Sequence, residues 1–416
     1  MEALVFENSL ARTIATKLIG QVLPRAYVGP TAPIRRREIP DPRLPADDWL
    51  LVRTSLCGLC GSDYKQVFLN GNYDNPMTSL ISFPQVLGHE AVGVVERTGP
   101  AVKDRRNGQR VLLDPWLGCV PRGLEPCRWC RSGDYAQCEN FTRGVLAPGI
   151  HSGNCRDASG AFAEFFPAHE SQCIPIPDDI DDETAVLADP FSVSLHGILH
   201  GPSPEGATVL VYVAGTLGLA AIAALKALYA KVTVIAVARY PHQAALAGSL
   251  GADHVIAHRP AAAVVEAVAG LTSSELRRPW RGLPMLNGGV DLVYDTVGLA
   301  ETLEVGVRVT RPRGTIVVSG VEIPRRFEWT PLYFKEIALV GSNAFGMETF
   351  EGRRMHAMEW YFEFVRAGRI DLTPIISHRY PLSEYKRAFM DCHDQGRSGA
   401  VKVLFDQRCP RSGSAE

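Results

Sequence analysis

The pattern of apolar and polar positions changes near residue 191. Before this point, short apolar runs are separated by Gly and Pro, which is typical of β-strands joined by turns. Strands are predicted at 49–52, 90–97 and 110–113. After this point, buried-type strands alternate with helices rich in Ala and Leu. This alternation predicts an α/β fold with a doubly wound parallel sheet.

The elements of this sheet follow one another in the second half of the chain. The pattern predicts a helix at 217–229 and strands at 209–213, 231–238, 290–294 and 314–319. The stretch 209–225 carries no charge over seventeen residues. Because Gly215 and Gly218 interrupt it, a strand, a turn and a helix explain it better than a membrane span.

β-type sequence returns after the alternating region. An aromatic-rich helix is predicted at 355–366, and β-type segments continue to residue 405. Residues 1–190 and 346–416 are therefore predicted to form one discontinuous β-rich domain. The α/β domain at 191–345 would be inserted into it.

Four cysteines stand in the spacing C-x7-C-x2-C-x7-C, at Cys119, Cys127, Cys130 and Cys138. Four thiolates can complete a tetrahedral zinc shell. The residues between them show no apolar periodicity, so a metal is the expected source of order in this lobe. The alternative is four unrelated cysteines, two of which pair as a disulfide. Nothing in the sequence indicates the oxidising compartment that a disulfide requires.

Composition and charge narrow the class of protein. The chain has 416 residues, of which 46% are hydrophobic and 21% charged, as in a globular enzyme of two to three domains. A formal net charge of −2 favours neither nucleic acid nor an anionic membrane as a partner. The start of the chain has no basic segment followed by an apolar run and a cleavage site. With ten cysteines, these features predict a soluble cytoplasmic protein.

A second set of metal-binding side chains comes from three separate segments. Cys60 lies in Cys-Gly-Ser-Asp at 60–63, His89 lies in Gly-His-Glu at 88–90, and Asp189 precedes a proline. A thiolate, an imidazole and a carboxylate can hold zinc and leave a fourth position open for substrate. Taken singly, each residue has another explanation: a core thiol, a hydrogen-bonded core histidine and a helix cap.

With these motifs, the cysteine lobe and a glycine turn at 213–218, the chain resembles the zinc-dependent medium-chain alcohol dehydrogenases from about residue 45 to residue 406. The resemblance implies a GroES-like catalytic domain and a Rossmann domain. It also implies that Cys60, His89 and Asp189 bind catalytic zinc and that Glu90 can join them. Ser62 would take the proton of the alcohol, and Asp63 would orient the histidine ligand.

The chain departs from this family's pattern at three positions. The family's first lobe cysteine usually lies three residues before the second, but that position is Leu124 here, so Cys119 would reach the metal over a longer loop. Lys65 stands where many members carry a histidine that passes the proton to solvent. Its unperturbed pKa near ~10.4 suits such a shuttle poorly, and a solvated surface lysine is an equal alternative. Val213 replaces the first glycine of G-x-G-x-x-G.

The glycine turn predicts a dinucleotide site. Gly215 would let the backbone approach the pyrophosphate, Leu217 and Gly218 open the helix, and Gly218 allows close packing on the strand. Ser319, after a later strand, and Lys402, near the end of the chain, are further cofactor-binding candidates. A buried turn without nucleotide is the alternative.

The strand after the glycine turn predicts which nicotinamide cofactor is preferred. NAD sites usually end this strand with an acid, but here Ala238 is followed by Arg239, and the next acid is Asp253. An arginine can pair with the 2′-phosphate of NADP, whereas an exposed arginine without that role is the alternative. NADP(H) is therefore predicted to be favoured over NAD(H).

These features predict an oxidoreductase that transfers a hydride between NADP(H) and an alcohol, aldehyde or ketone. Two zinc ions per chain are expected, one catalytic and one structural, in a homo-oligomer that is a dimer or a tetramer. Three alternatives stay open: an NAD-dependent polyol or amino-alcohol dehydrogenase, a zinc-free quinone or enone reductase, and a non-catalytic nucleotide-binding protein. No nucleic acid or membrane partner is expected.

Overall fold

The computed structural model describes residues 1–71, 75–257, 260–320 and 327–408. The chain divides into two compact units, Met1–Leu187 with Ile376–Glu416, and Ala188–Ile375. The boundaries between the two units therefore lie at 187/188 and 375/376. The domain boundaries predicted from the sequence lie at 190/191 and 345/346. In both cases the second unit is an insertion into the first.

The first unit begins with a β-rich segment. Its strands are β1 (Glu2–Phe6), β2 (Ile34–Glu38), β3 (Trp49–Gly58), β4 (Gln85–Val86), β5 (Glu90–Thr98), β6 (Arg110–Leu113), β7 (Phe165–His169) and β8 (Cys173–Pro175). Its helices are α1 (Leu10–Gly20), α2 (Gly61–Val67), α3 (Arg128–Ser132) and α4 (Asp182–Ala185). The three strands predicted in this region are confirmed, although β3 runs on to Gly58.

The second unit contains the predicted alternation. Its helices are α5 (Ala188–His200), α6 (Thr216–Leu228), α7 (Pro241–Ser249), α8 (Ala261–Leu271), α9 (Ala300–Val309), α10 (Thr330–Phe334) and α11 (Ala357–Arg366). Its strands are β9 (Thr208–Tyr212), β10 (Thr233–Ala238), β11 (His254–Ala257), β12 (Glu275–Arg277), β13 (Met285–Asn287), β14 (Val290–Asp295), β15 (Thr310–Val318), β16 (Ala338–Gly341), β17 (Met347–Phe350) and β18 (Arg353–His356).

The chain then returns to the first unit with β19 (Ile376–Tyr380), α12 (Tyr385–His393), α13 (Gln395–Ser398) and β20 (Lys402–Asp406). Strand β20 pairs with β3, so the end of the chain joins the sheet that its first half began. This sheet has the order β19-β20-β3-β5-β6-β8, and β7 also pairs with β3. Its core includes Leu50, Val95, Phe166 and Phe405. The discontinuous β-rich unit follows from these pairings.

The sheet of the second unit is parallel throughout, in the order β11-β10-β9-β14-β15-β16. From β9 the chain continues through β10 to β11 at one edge of the sheet. It then returns to the other side of β9 and continues through β14 and β15 to β16 at the opposite edge. The strand order therefore reverses between β9 and β14. Ligands of such sheets bind beyond the carboxyl ends of the strands at this reversal. The predicted doubly wound parallel sheet is confirmed, and β9 ends at Tyr212, one residue before Val213.

Candidate functional site

The four lobe cysteines lie together. Cys127 precedes α3, Cys130 lies within it, and Cys119 and Cys138 flank short helical turns. Their sulfur atoms all lie within 4.8 Å of one another, and those of Cys119 and Cys138 are 3.5 Å apart. Zinc–sulfur bonds of 2.3 Å in a tetrahedron separate the sulfurs by about 3.8 Å. The longer loop therefore brings Cys119 to the other three cysteines.

Electrostatics in the lobe favour a bound cation. The backbone amide of Cys127 donates a hydrogen bond to Cys119 Sγ at 3.2 Å, and the backbone amide of Asn140 donates to Cys138 Sγ at 3.3 Å. Burial opposes ionisation of Cys127, but amide and thiol donors outweigh it and lower its pKa to about 6. Burial raises the pKa of Cys119, and the neighbouring Cys138 raises that of Cys130. Four adjacent thiols ionise together only around a cation, so this donor set fits zinc.

Arg122 organises the loop beside the lobe. Its side chain is fully buried and donates to the carbonyl oxygens of Leu117, Arg143, Leu146, Ala147 and Gly149, at 2.6–3.1 Å. The guanidinium thus satisfies five backbone acceptors of a segment that lacks regular structure. The sequence did not indicate this role, because an arginine between two cysteines resembles any exposed arginine.

The second metal set is partly assembled within the first unit. One ligand atom each from Cys60, His89 and Glu90 lies within 4.8 Å of the others. Cys60 precedes α2, and Glu90 is the first residue of β5. The turn before β5 has Gly88 at φ +94°, where an added Cβ would lie 2.4 Å from the ring of Phe162. Only glycine lets the chain turn there and bring His89 beside Cys60.

Asp63 and His151 surround the His89 imidazole. Asp63 Oδ2 accepts a hydrogen bond from the Cys60 amide at 3.0 Å, and its Oδ1 lies 3.8 Å from His89 Nδ1. Burial raises the pKa of Asp63, and His89 opposes that shift. The ring of His151 lies 4.6 Å from that of His89, and its Nδ1 donates to the Ser152 carbonyl at 2.7 Å. Burial and His89 lower the pKa of His151 to about 3, so it is neutral. Sequence reasoning missed His151, which no motif marks.

Glu90 has a partner that the sequence did not reveal. Lys402 forms a buried ion pair with Glu90, with side chains that are 1% and 3% exposed, and it lies 3.4 Å from the Leu59 carbonyl. The structure places Lys402 against a candidate metal ligand, and the role predicted for it in cofactor binding stays a prediction. Strand β20 carries it there by pairing with β3.

The remaining catalytic candidates occupy two different elements. Ser62 is exposed in the first turn of α2, two residues from Cys60, and Lys65 is half-buried in the last turn of the same helix. Asp189 is buried in the first turn of α5, at the start of the second unit. The metal group found in the first unit contains Cys60, His89 and Glu90, and a role for Asp189 as a ligand stays a prediction.

The glycine turn follows β9 directly. Val213 has φ +73°, the left-handed conformation in which a β-branched residue is strained. Thr296 Oγ1 donates to the carbonyls of Tyr212 and Val213, both at 3.1 Å, and thereby holds the turn. A Cβ on Gly218 would lie 2.1 Å from the Val213 oxygen, whereas a Cβ on Gly215 would meet none of the described atoms within 4 Å. Open space at Gly215, at the N-terminus of α6, fits a pyrophosphate.

Arg239 and Ser319 lie at the same edge of the parallel sheet, since they directly follow β10 and β15. Arg239 is exposed, and its guanidinium lies 5.3 Å from the centre of the Tyr240 ring. Asp253 lies near the start of β10, where it accepts hydrogen bonds from Lys226 and the Val234 amide, both at 2.7 Å. Leu217 lies in the first turn of α6, and Ser194 Oγ donates to its carbonyl at 2.9 Å.

Comparisons with known proteins identify the family. Residues 46–178 match the family described as alcohol dehydrogenase GroES-like domain, and residues 216–360 match the family described as zinc-binding dehydrogenase. The chain is 31% identical over 374 residues to an L-threonine 3-dehydrogenase of Rhizobium etli, covering 89% of this chain and 94% of the relative. It is 28% identical to an (R,R)-butanediol dehydrogenase of Saccharomyces cerevisiae, over 88% and 94% of the two chains.

Solved structures support the same assignment. An alcohol dehydrogenase from Thermus sp. ATN1 is 26% identical, with a TM-score of 0.70 over 98% of this chain and 99% of the other. A putative zinc-binding dehydrogenase from Sinorhizobium meliloti 1021, solved with NADP, is 27% identical, with a TM-score of 0.67 over 90% and 95%. No helix among the described residues is both long and apolar enough to cross a membrane. The chain therefore belongs to the zinc-dependent medium-chain alcohol dehydrogenase family and is an oxidoreductase of the alcohol dehydrogenase type.

Proposed function

We propose that the chain is a zinc-dependent dehydrogenase that interconverts a secondary alcohol and its ketone with NADP(H). The observation that carries the proposal is the convergence of Cys60, His89 and Glu90 within 4.8 Å, beside the exposed hydroxyl-bearing residue Ser62. A thiolate and an imidazole suit zinc, and this set leaves room for a further protein ligand and substrate. Asp189 is the further ligand that we propose.

The chain's own residues have distinct tasks in this reaction. Cys60 and His89 would hold the metal, and Asp63 fixes the local geometry through the Cys60 amide. When bound, zinc polarises the substrate oxygen, and the nicotinamide carries the hydride. Ser62 accepts the proton of the substrate hydroxyl and passes it towards solvent, which it can reach because its side chain is exposed. The neutral His151 adds no charge beside His89.

The names of the relatives support a proposal for the substrate class. These include L-threonine 3-dehydrogenase, L-idonate 5-dehydrogenase and (R,R)-butanediol dehydrogenase. In each of these substrates the oxidised carbon is a secondary carbinol next to a carbon that carries nitrogen or oxygen. We propose that this enzyme also acts on a secondary alcohol with an adjacent polar group. A panel of vicinal diols, polyols and 3-hydroxy-2-amino acids, with matched simple secondary alcohols, tests the proposal. Turnover restricted to the simple alcohols would contradict it.

The cofactor preference rests on Arg239. Its guanidinium is exposed just beyond β10, and the nearest downstream acid, Asp253, is bound near the other end of that strand. One charge-assisted hydrogen bond to the 2′-phosphate is worth about 1.5–3 kcal/mol, or roughly 10- to 150-fold in affinity. Arg239→Ala should weaken NADP(H) binding by that factor and leave NAD(H) binding nearly unchanged.

Dissociation constants of both cofactors for the wild type and the variant test the preference. Arg278→Ala is a matched control, because Arg278 is an exposed arginine of the same unit that pairs with Glu266 at 2.7 Å. The control should bind both cofactors as the wild type does. Equal losses for the two cofactors in Arg239→Ala, or a wild-type preference for NAD(H), would refute the assignment to NADP(H).

A further inference from the structure

Helix α1 is firmly docked on one side. Thr16 is fully buried and Gly20 is also buried, and a Cβ on Gly20 would lie 2.5 Å from the ring of Tyr27. Tyr27 in turn packs on Phe68, with ring centres 5.1 Å apart. Arg12 donates to the Pro30 carbonyl at 3.0 Å. These contacts fix which face of the helix points away from the unit.

The opposite side of α1 is aliphatic and exposed. Leu10, Ile14 and Leu18 recur every four residues, and 67%, 47% and 66% of their surfaces are exposed. We call these three residues the α1 stripe. Ile19, Val22 and Leu23, at the end of the helix, are exposed by 45%, 88% and 54%. An apolar helix face is normally turned towards a core, so this orientation is unusual for a surface helix.

The size of the α1 stripe is within the range of functional apolar patches. Its three side chains expose on the order of 300 Å² of aliphatic surface, and the largest apolar patch of a soluble protein, about 300–600 Å², is often a functional one. A standard protein–protein interface buries about 800 Å² on each partner, so the stripe supplies roughly a third of it. Neighbouring backbone and the stems of basic side chains can supply the remainder.

The spacing of the α1 stripe suits a second copy of the chain. Leu10 and Leu18 lie at equal distances on either side of Ile14, so the stripe is symmetric about its central residue. When two such helices pack antiparallel around a two-fold axis, Ile14 meets Ile14 of the partner subunit. Leu10 then lies level with Leu18 of the partner subunit. A two-fold interface requires this self-complementarity.

The charges near the stripe are compatible with such pairing. Lys17 lies level with Ala11 of the partner subunit, at the rim of the contact. Arg12 is directed to carbonyl oxygens of its own chain. We propose that the α1 stripe is a two-fold, antiparallel interface between copies of this chain. The stripe lies outside residues 46–178 and 216–360, which match the dehydrogenase families, so the contact is additional to the catalytic fold.

Mass measurement of the full chain tests the interface. Light scattering after size exclusion should show that Ile14→Glu has half the mass of the wild-type assembly, because the substitution puts two carboxylates on the two-fold axis. Gln21→Glu places the same charge at an exposed position seven residues further along the segment, beyond the end of the stripe and away from the two-fold axis, and should keep the wild-type mass. Unchanged melting temperature and turnover in Ile14→Glu establish that the variant is folded.

Cross-linking tests the geometry directly. Ile14→Cys should form a disulfide-linked dimer under mild oxidation, and Gln21→Cys, about 10 Å further from the axis along each helix, should not. Four results would overturn the proposal: a monomeric wild type, an unchanged mass for Ile14→Glu, cross-linking of both cysteine variants alike, or no cross-linking of Ile14→Cys. Flotation with phosphatidylserine vesicles that Ile14→Glu abolishes, without a change in mass, would instead assign the stripe to a membrane surface.

Discussion

Alanine substitutions at Gly218 and Gly215 of the glycine turn should affect different properties. Gly218→Ala should destabilise the fold, whereas Gly215→Ala should weaken cofactor binding. In Gly218→Ala, the new Cβ would lie 2.1 Å from the Val213 oxygen. The clash is with backbone, so no rotamer relieves it, and overpacking of this kind costs about 1–3 kcal/mol. Alanine regains up to about 1 kcal/mol of helix propensity. A net loss of about 1–2 kcal/mol should lower the melting temperature of the second unit by about 2–8 °C.

Gly215→Ala should spare the fold and affect only the cofactor. Gly215 has φ −81° and ψ −167°, which alanine adopts without strain, and the methyl group would meet no described atom within 4 Å. Stability should change by less than about 1 kcal/mol. The methyl group would, however, occupy the space through which a pyrophosphate reaches the amides at the start of α6. Losing one such charge-assisted bond weakens NADP(H) binding by roughly 10- to 150-fold.

Two measurements on both variants decide the matter. Differential scanning fluorimetry without cofactor gives the stability, and titration of NADPH fluorescence gives the dissociation constant. A Gly215→Ala variant that binds NADPH as the wild type does would mean that the pyrophosphate does not lie at this turn. A Gly218→Ala variant as stable as the wild type would mean that the turn can move away from Val213.

Cys127→Ser should reduce the zinc content from two ions to one and lower the melting temperature, whereas Cys173→Ser, at a buried thiol away from the lobe, should keep both ions. Elemental analysis tests this, and equal zinc contents in the two variants would contradict it. Ser62→Ala should lower turnover by ~10²–10⁴-fold with little loss of cofactor binding; unchanged turnover when chemistry is rate-limiting would exclude Ser62 from proton transfer. Glu183 pairs with Arg379 at 2.5 Å and Arg408 at 3.1 Å, and Arg379 holds the Glu183 pKa below its usual value. Because the folded-state pKa is lowered, the stabilisation is present above about pH 4.5 and is lost as pH falls through the folded pKa. At pH 7, Glu183→Gln should cost about 0.5–1 kcal/mol, given solvent screening, and a difference in unfolding free energy that does not shrink as the pH falls below about 4.5 would contradict the pairing.

The sequence by itself determined the features that depend on local pattern. Apolar periodicity predicted the parallel sheet, because buried strands and amphipathic helices impose different spacings on the chain. The C-x2-C pair and the Gly-His-Glu motif indicated metal ligands, since their donors are set by a few adjacent residues. The family resemblance added Glu90 as a further ligand, Ser62 as the proton acceptor and Asp63 beside the histidine ligand. The glycine turn was found because its glycines are local requirements of the backbone.

The tertiary structure alone decided what depends on distant residues. Lys402 reaches Glu90 because β20 pairs with β3, a contact between residues 312 positions apart. His151 lies against His89, although no spacing relates the two. The sequence showed that Val213 replaces the first glycine of the motif, but only the fold established that the residue has a positive φ, because Thr296 and β9 hold the turn. Local pattern specifies which elements form, whereas contacts between elements specify which side chains meet, and such contacts leave no periodic trace in the sequence.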